Sequence, residues 1–323
     1  IKGVLCLDKT AKEEASYVLI WCENVILATG GPAGMYHDSV YPVSQTGSSG
    51  MAFEAGAAGK NLTEWQFGMA SLNPRWNVSG TYMQVLPAFI STDQEGKDEK
   101  EFLLEYFKEL PDLLSMVFLK GYQWPFDVNK VFGGSSVIDL LVYQETVIKG
   151  RKVFLDYRIN PGKLKESEEL PYASLLPEAF EYLKQAGACF GTPIERLKHM
   201  NEPAIYFYKD HNVDLYKERL EIAICAQHNN GGLSADSWWE TGISGLYAAG
   251  EVCASHGVTR PGGTALNAGQ VGAVRAAEGI RLKKMYEAEK TERDPKEEKI
   301  REKLRKEAFE RISLSENANG NQS

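Results

Sequence analysis

The chain has 323 residues and a formal net charge of −8, which allows two domains and offers no basic surface for nucleic acid. Its 43% hydrophobic and 25% charged content is that of a soluble globular protein, and no apolar run is long enough to span a bilayer. Five scattered cysteines (Cys6, Cys22, Cys189, Cys225, Cys253) without a CxxC pair predict buried, reduced thiols in a reducing, cytoplasmic setting.

The opening Ile1-Lys2-Gly3-Val4 is neither an initiator methionine nor a signal peptide, so the chain is expected to start inside a domain. Gly3–Asp8 and Tyr17–Trp21 read as hairpin arms around a polar turn over Lys9–Glu14. Asn24 to Gly31, an apolar run ending in Thr29-Gly30-Gly31, predicts a buried strand and a turn. A helix is expected to open at Thr46-Gly47-Ser48 and run through Ala58, with Thr46 or Ser48 as its N-cap. Glu64-Trp65-Gln66-Phe67-Gly68-Met69-Ala70 follows.

From Leu72 to Gln227 the composition becomes mixed and aromatic-rich: Trp76, Tyr82, Tyr106, Phe107, Tyr122, Trp124, Phe126, Phe154 and Tyr157. Most of these are expected in core packing, with Gly121–Phe126 as a loop at a site mouth. His199 and His211 are expected at the surface, and His37 has no assigned role.

The apolar run Gly245-Leu246-Tyr247-Ala248-Ala249-Gly250 predicts a buried strand that delivers Glu251. Gly262-Gly263 then opens a helix from Thr264 towards Ala288, with small residues for tight packing. The free N–H groups at such a helix start, with its partial positive charge, suit an anion or an electron-rich ring edge. Beyond Asp294-Pro295, Lys296–Arg311 reads as a charged helix with a narrow apolar stripe, and 313–323 as a disordered tail.

Gly245–Glu251 and His256–Leu266 closely resemble the "GLYAAGE…HGANRLGGNSL" motif of the fumarate reductase/succinate dehydrogenase/L-aspartate oxidase flavoprotein family. Val25–Gly31 is similar to that family's "VILATGG", Thr46–Ala58 to "TGDGxxxAxxAGA", and His228–Leu233 to "HYTMGGI". The resemblance implies an α/β fold: the later part of a two-dinucleotide-type FAD-binding domain, an inserted α+β capping domain and a C-terminal helix. On this reading, 1–71 and 230–283 form the FAD-binding domain, 72–229 the capping domain and 284–323 a helical segment. The Gly-x-Gly-x-x-Gly unit that should open such a domain is not found. It is expected upstream, and this chain alone is expected to hold FAD weakly.

The resemblance also implies roles. Thr29, Gly30, Gly31, Glu251, Gly262, Gly263, Thr264, Ala265 and Leu266 would face FAD, with Glu251 on the ribitol and the helix amides at the N1/O2 edge. Arg260 and His228 would grip the carboxylate of a small anionic substrate, with hydride passing to or from flavin N5. Local alternatives are a loop cap or salt bridge for Glu251, a surface ion pair for Arg260, and a backbone-satisfied histidine at 228. Three places depart from the family: Ser48 stands where "TGDG" carries aspartate, Gly68 where "EFxQFHPT" carries histidine, and Ser136–Tyr143 lacks the arginines of "RDxxxR". The enzyme reading therefore stands beside two others, a flavoprotein like that of adenylylsulfate reductase and a flavin-fold subunit without catalysis. An iron–sulfur or other electron-transfer partner is expected; a metal site is not.

Overall fold

The computed structural model describes residues 1–8, 10, 16–42, 45, 47–162, 169–288, 299, 302–303 and 306–307. The turn expected over Lys9–Glu14, the helix over Lys296–Arg311 and the tail lie largely or wholly outside the described residues, as does Thr46. In chain order the first elements are β1 (Gly3–Asp8), β2 (Ser16–Trp21), β3 (Val25–Leu27), α1 (Ser49–Glu54), β4 (Gly59–Lys60), β5 (Trp65–Leu72), β6 (Arg75–Asn77) and α2 (Thr81–Gln84). Next come β7 (Ala88–Thr92), α3 (Leu103–Tyr106), α4 (Leu110–Lys120), α5 (Ser136–Tyr143), β8 (Lys152–Asp156), α6 (Pro177–Gln185) and α7 (Pro193–Asp210). The last are β9 (Leu220–Asn229), β10 (Gly232–Leu233), β11 (Leu246–Ala248) and α8 (Thr264–Ala288). Mixed helix and strand agree with the expected α/β class.

The chain divides into two compact units: 1–31, 47–64 and 230–323 form the first, and 32–46 with 65–229 the second. The 72–229 segment thus lies within the second unit, which also takes in 32–46 and 65–71. Strand pairing accounts for the latter, because β5 is hydrogen-bonded along its length to β9.

In the first unit β1 and β2 form the antiparallel hairpin, in register from Gly3↔Trp21 to Asp8↔Ser16. Strand β3 pairs in parallel with β11 (Val25↔Leu246 to Leu27↔Ala248), and β10 pairs with β4. The small core of this unit gathers Ala52, Ala57, Leu233, Leu246, Ala248 and Val252. Two expectations are corrected here. The strand expected as buried over Asn24–Gly31 is three residues long and only half-buried, with Ile26 43% exposed, because β11 is its one strand partner among the described residues. Helix α1 stops at Glu54 rather than Ala58. Gly56, at φ +98°, takes the left-handed turn, and the Ala57 and Gly56 N–H groups close back on the Ala52 and Phe53 carbonyls. Ser48 is its N-cap by position but makes no side-chain cap bond.

The second unit is built on a five-stranded antiparallel sheet, ordered β6-β5-β9-β8-β7. Strand β9 is central and buried along most of its length, so its apolar residues run nearly without interruption. One face carries Met69 and Ile222 into the large core, which α2, α4, α5, α6 and α7 complete with Leu114, Phe118, Ile138, Leu183, Leu197 and Tyr208. Helix α7 starts at a capping box, with Thr192 and Glu195 bonding each other's backbone and Pro193 at its first turn. Of the aromatic residues expected in the core, Tyr82 and Tyr157 are buried, while Trp76, Tyr106 and Tyr122 are exposed. Among the described residues no helix is long and apolar enough to cross a membrane.

Among the described residues of this unit, one ion pair is wholly enclosed. Lys120, the last residue of α4, meets Asp139 of α5 at 2.5 Å, and neither side chain is more than 2% exposed. Burial pushes the Asp139 carboxyl up to about 6, and burial lowers the Lys120 ammonium, each opposed by the other's charge.

Candidate functional site

Parallel pairing of β3 with β11 sets the ends of two strands side by side, and the Ala249 N–H continues the ladder to the Leu27 carbonyl at 2.8 Å. Each strand then gives way to glycine in the left-handed region, Gly30 at φ +73° and Gly250 at φ +76°, a conformation glycine takes without steric cost. The two turns bring Glu251 over Gly31. A Cβ at position 31 would run into the Glu251 carboxylate and its side-chain carbons, so Gly31 is the cradle in which that carboxylate lies.

Helix α8 approaches the same turn. A Cβ on Gly269 would stand 3.7 Å from the Gly250 Cα, so backbone nearly meets backbone there. The Thr264 hydroxyl and N–H both return to the Pro261 carbonyl, at 2.7 and 3.3 Å. That leaves the next amides of the first turn without an intrahelical acceptor. Around them the chain is bare: Cβ atoms on Gly262 or Gly263 would meet nothing within 4 Å, and Leu266 is 80% exposed.

The loop carrying Arg260 is pinned from the side by two amides, Asn230 Nδ2 on the Val258 carbonyl at 2.7 Å and Asn61 Nδ2 on the Gly257 carbonyl at 3.2 Å. Arg260 itself is half-buried, and His256 is buried. A pocket of about 340 Å³ lies along the flank of α8, with Trp239, His256, Pro261, Thr264 and Asn267 in its walls. Cys253 follows directly; burial pushes its thiol up to about 11, which removes it as a nucleophile.

Of the residues singled out in the sequence, Gly31 and Glu251 are in contact, and Thr29, Gly30 and Gly262–Leu266 belong to the same first unit. His228 belongs to the second unit. It stands on β9 directly opposite Gln66 of β5, 5% exposed, where β9 carries one extra residue and the register shifts between Gln66 and Phe67. Partners in register share a face, and so do residues two apart on one strand. Gln66, Gly68 and His228 therefore lie on the same side of the sheet.

Position 68 is filled by another residue. The Trp124 indole lies where a Cβ on Gly68 would go, its buried Nε1 without a hydrogen-bond acceptor among the described residues. The loop is secured by the Phe126 N–H on the Phe67 carbonyl at 2.8 Å, and the Gly68 carbonyl is taken by Gln227 Nε2 at 2.9 Å. The expected mouth loop Gly121–Phe126 is thus packed on β5, a contact that periodicity could not reveal. The Glu251–Gly31 and Trp239–Gly272 contacts were likewise invisible in sequence, and a glycine facing a large side chain is their only signal.

Residues 174–266 match the family model described as FAD binding domain. One subunit of the fumarate reductase (CoM/CoB) of Methanothermobacter marburgensis is 39% identical over 85 residues, covering 26% of this chain and 16% of that one. An uncharacterized FAD-dependent oxidoreductase of Methanocaldococcus jannaschii is 27% identical over 259 residues, 78% of this chain and 38% of that one. Among solved structures, a quinol-fumarate reductase with menaquinol molecules superposes with TM-score 0.50 at 21% identity, covering 82% of this chain and 40% of that one. The chain shares its fold with that structure, and the match of residues 174–266 to an FAD-binding domain implies FAD as the cofactor. The chain spans well under half the length of each of these three relatives.

The residues present fit that cofactor. A cradled carboxylate, open glycines and the first-turn amides of α8 together offer an acceptor, space for a planar ring and a positive helix end.

Proposed function

We propose that this chain supplies the flavin-facing half of an FAD site in an oxidoreductase, and that its substrate is a small organic anion. Glu251 would accept hydrogen bonds from the ribitol chain, and the amides from Gly263 to Leu266 would face the N1/O2 edge and hold negative charge there. When bound, FAD supplies hydride exchange at its N5. Arg260 would grip a substrate carboxylate through both guanidinium nitrogens, and His228 would be the second carboxylate contact. The observation that carries the reading is the Glu251 carboxylate lying in the cradle of Gly31, beside glycines that leave room for a ring. Because no arginine stands in Ser136–Tyr143 and indole fills position 68, the substrate is proposed to differ from fumarate or succinate. An iron–sulfur or other electron-transfer subunit would exchange electrons with it in the cytoplasm; the five unpaired cysteines suit that reducing setting.

The test is to load the purified protein with FAD and follow bleaching and reoxidation across a panel of small carboxylates. Saturable FAD binding, turnover with a panel member, and loss of that turnover in Arg260→Ala would support the proposal. Protein that shows no FAD binding even with the cofactor in large excess would sink it. A second reading, a flavin-binding subunit without catalysis, is favoured by the packing of Trp124 into position 68. It would be upheld by full FAD occupancy, no turnover with any carboxylate, and unchanged ligand affinity in Arg260→Ala.

A further inference from the structure

Helix α8 is held by a stripe of small residues at helical spacing. Gly269 faces the Gly250 Cα, Gly272 faces the indole of Trp239, Ala276 is wholly buried, and Gly279 faces the Cβ of Trp238. A Cβ on Gly272 would stand 2.6 Å from Trp239 Nε1 and 2.9 Å from its Cδ1, so the ring rests directly on the helix backbone. The Arg275 guanidinium lies over the ring of Trp238 at 5.0 Å.

Trp239 breaks two local rules in order to be there. Its backbone is in the left-handed region at φ +61°, where a bulky residue is out of place, and its buried indole N–H finds no acceptor among the described residues. Such a residue persists only where its surroundings over-determine it. Here they do. Asp236 Oδ1 accepts the Trp238 and Glu240 N–H groups at 2.8 and 3.0 Å, the Trp239 N–H bonds the Asp236 carbonyl, and the Trp239 carbonyl takes the Ala248 N–H from the end of β11. Lys283, further along α8, grips both Glu240 oxygens at 2.5 and 2.6 Å. The loop is therefore tied to β11 and to α8, the two elements that meet at Gly250 and Glu251.

We propose that Trp239 is a positioning residue for the cofactor: seated on Gly272, its ring sets how closely α8 approaches the Gly250 turn at Gly269, and through that contact where the amides at the start of the helix lie. It would act through the helix, fixing the amides that face the flavin, and not by touching the reacting atoms. The proposal rests on the FAD reading above.

The experiment compares wild type, Trp239→Gly, Trp239→Phe and Gly272→Ala, each loaded with FAD, by FAD affinity, flavin midpoint potential and melting temperature. Trp239→Gly removes the seat and also relieves the backbone strain. It is expected to bind FAD about tenfold more weakly, the scale of a helix-end interaction, and to shift the potential to more negative values. Its melting temperature should fall, because the lost packing outweighs the relieved strain, so the potential is the readout that separates positioning from stability. Gly272→Ala should shift the potential the same way, while Trp239→Phe, which keeps a ring on Gly272, should stay near wild type. If Trp239→Gly keeps wild-type affinity and potential, or loses affinity only in step with a falling melting temperature at unchanged potential, the inference is overturned. A wild type that binds no FAD removes the parent reading, and this one with it.

Discussion

Gly68 and Trp124 compete for one volume: the indole of Trp124 stands where any side chain at position 68 would begin. Gly68→Ala should therefore force the ring to move, at a cost of about 1–3 kcal/mol, the usual penalty of overpacking. In a Trp124→Ala background the same change should cost little. The double-mutant cycle, read by denaturant unfolding, gives the coupling directly. Equal costs in both backgrounds would show that the two residues do not exclude each other.

Gly31→Ala should separate cofactor binding from folding. Gly31 is outside the left-handed region, so alanine brings no backbone strain there, only a methyl group set into the Glu251 carboxylate. FAD affinity should fall by about tenfold or more, or roughly 1.4 kcal/mol and upwards, with an unchanged far-ultraviolet circular dichroism spectrum. Glu251→Gln, which keeps the shape and loses the charge, should give a smaller loss in the same titration.

The enclosed Lys120–Asp139 pair makes a prediction about pH. Asp139 has its folded value raised to about 6, above the ordinary 3.8. Between those values the native state holds the extra proton, so the contribution from Asp139 is fully present below about pH 4 and is lost as pH rises through 6. Asp139→Asn, which like the protonated carboxyl carries no charge, should abolish this slope in urea melts recorded between about pH 4 and 7, and should not lower stability at about pH 7. A slope that survives the substitution would show that another group sets it.

Arg260→Lys tests geometry at constant charge. A guanidinium offers a planar fork and an ammonium a point, so lysine should fail to restore carboxylate binding, with affinity about tenfold or more below wild type. FAD content should not change. Titration of the oxidised flavin spectrum with the best carboxylate ligand reads both.

What could be seen in the sequence was what depends on neighbours in sequence. The hairpin arms, the Thr29–Gly31 turn, the strand before Glu251 and the helix opening at Thr264 are each written in short-range periodicity and glycine placement, and each formed within a few residues of expectation. Helix α1 was overrun by four residues because Gly56 was read as one more small helical residue rather than as the left-handed stop. The contacts that shape the candidate site join distant positions, 31 with 251, 68 with 124, and 239 with 272. In each the informative residue is a glycine, whose sequence signature is the same whether it frees a turn or makes room for a ring.

The extra residue that β9 spends opposite the Gln66–Phe67 step acts as a phase shift. A strand shows its residues to alternate sides, so the parity of the count from Ala226 decides which of Gln227, His228 and Asn229 is turned to the side of Gln66. Losing or gaining one residue here would exchange imidazole for amide on that side, with composition and length almost untouched. Viable length changes between Ala226 and Asn229 should accordingly come in twos. A homologue one residue shorter at this point should be suspected of holding a different substrate before any change in its side chains is considered.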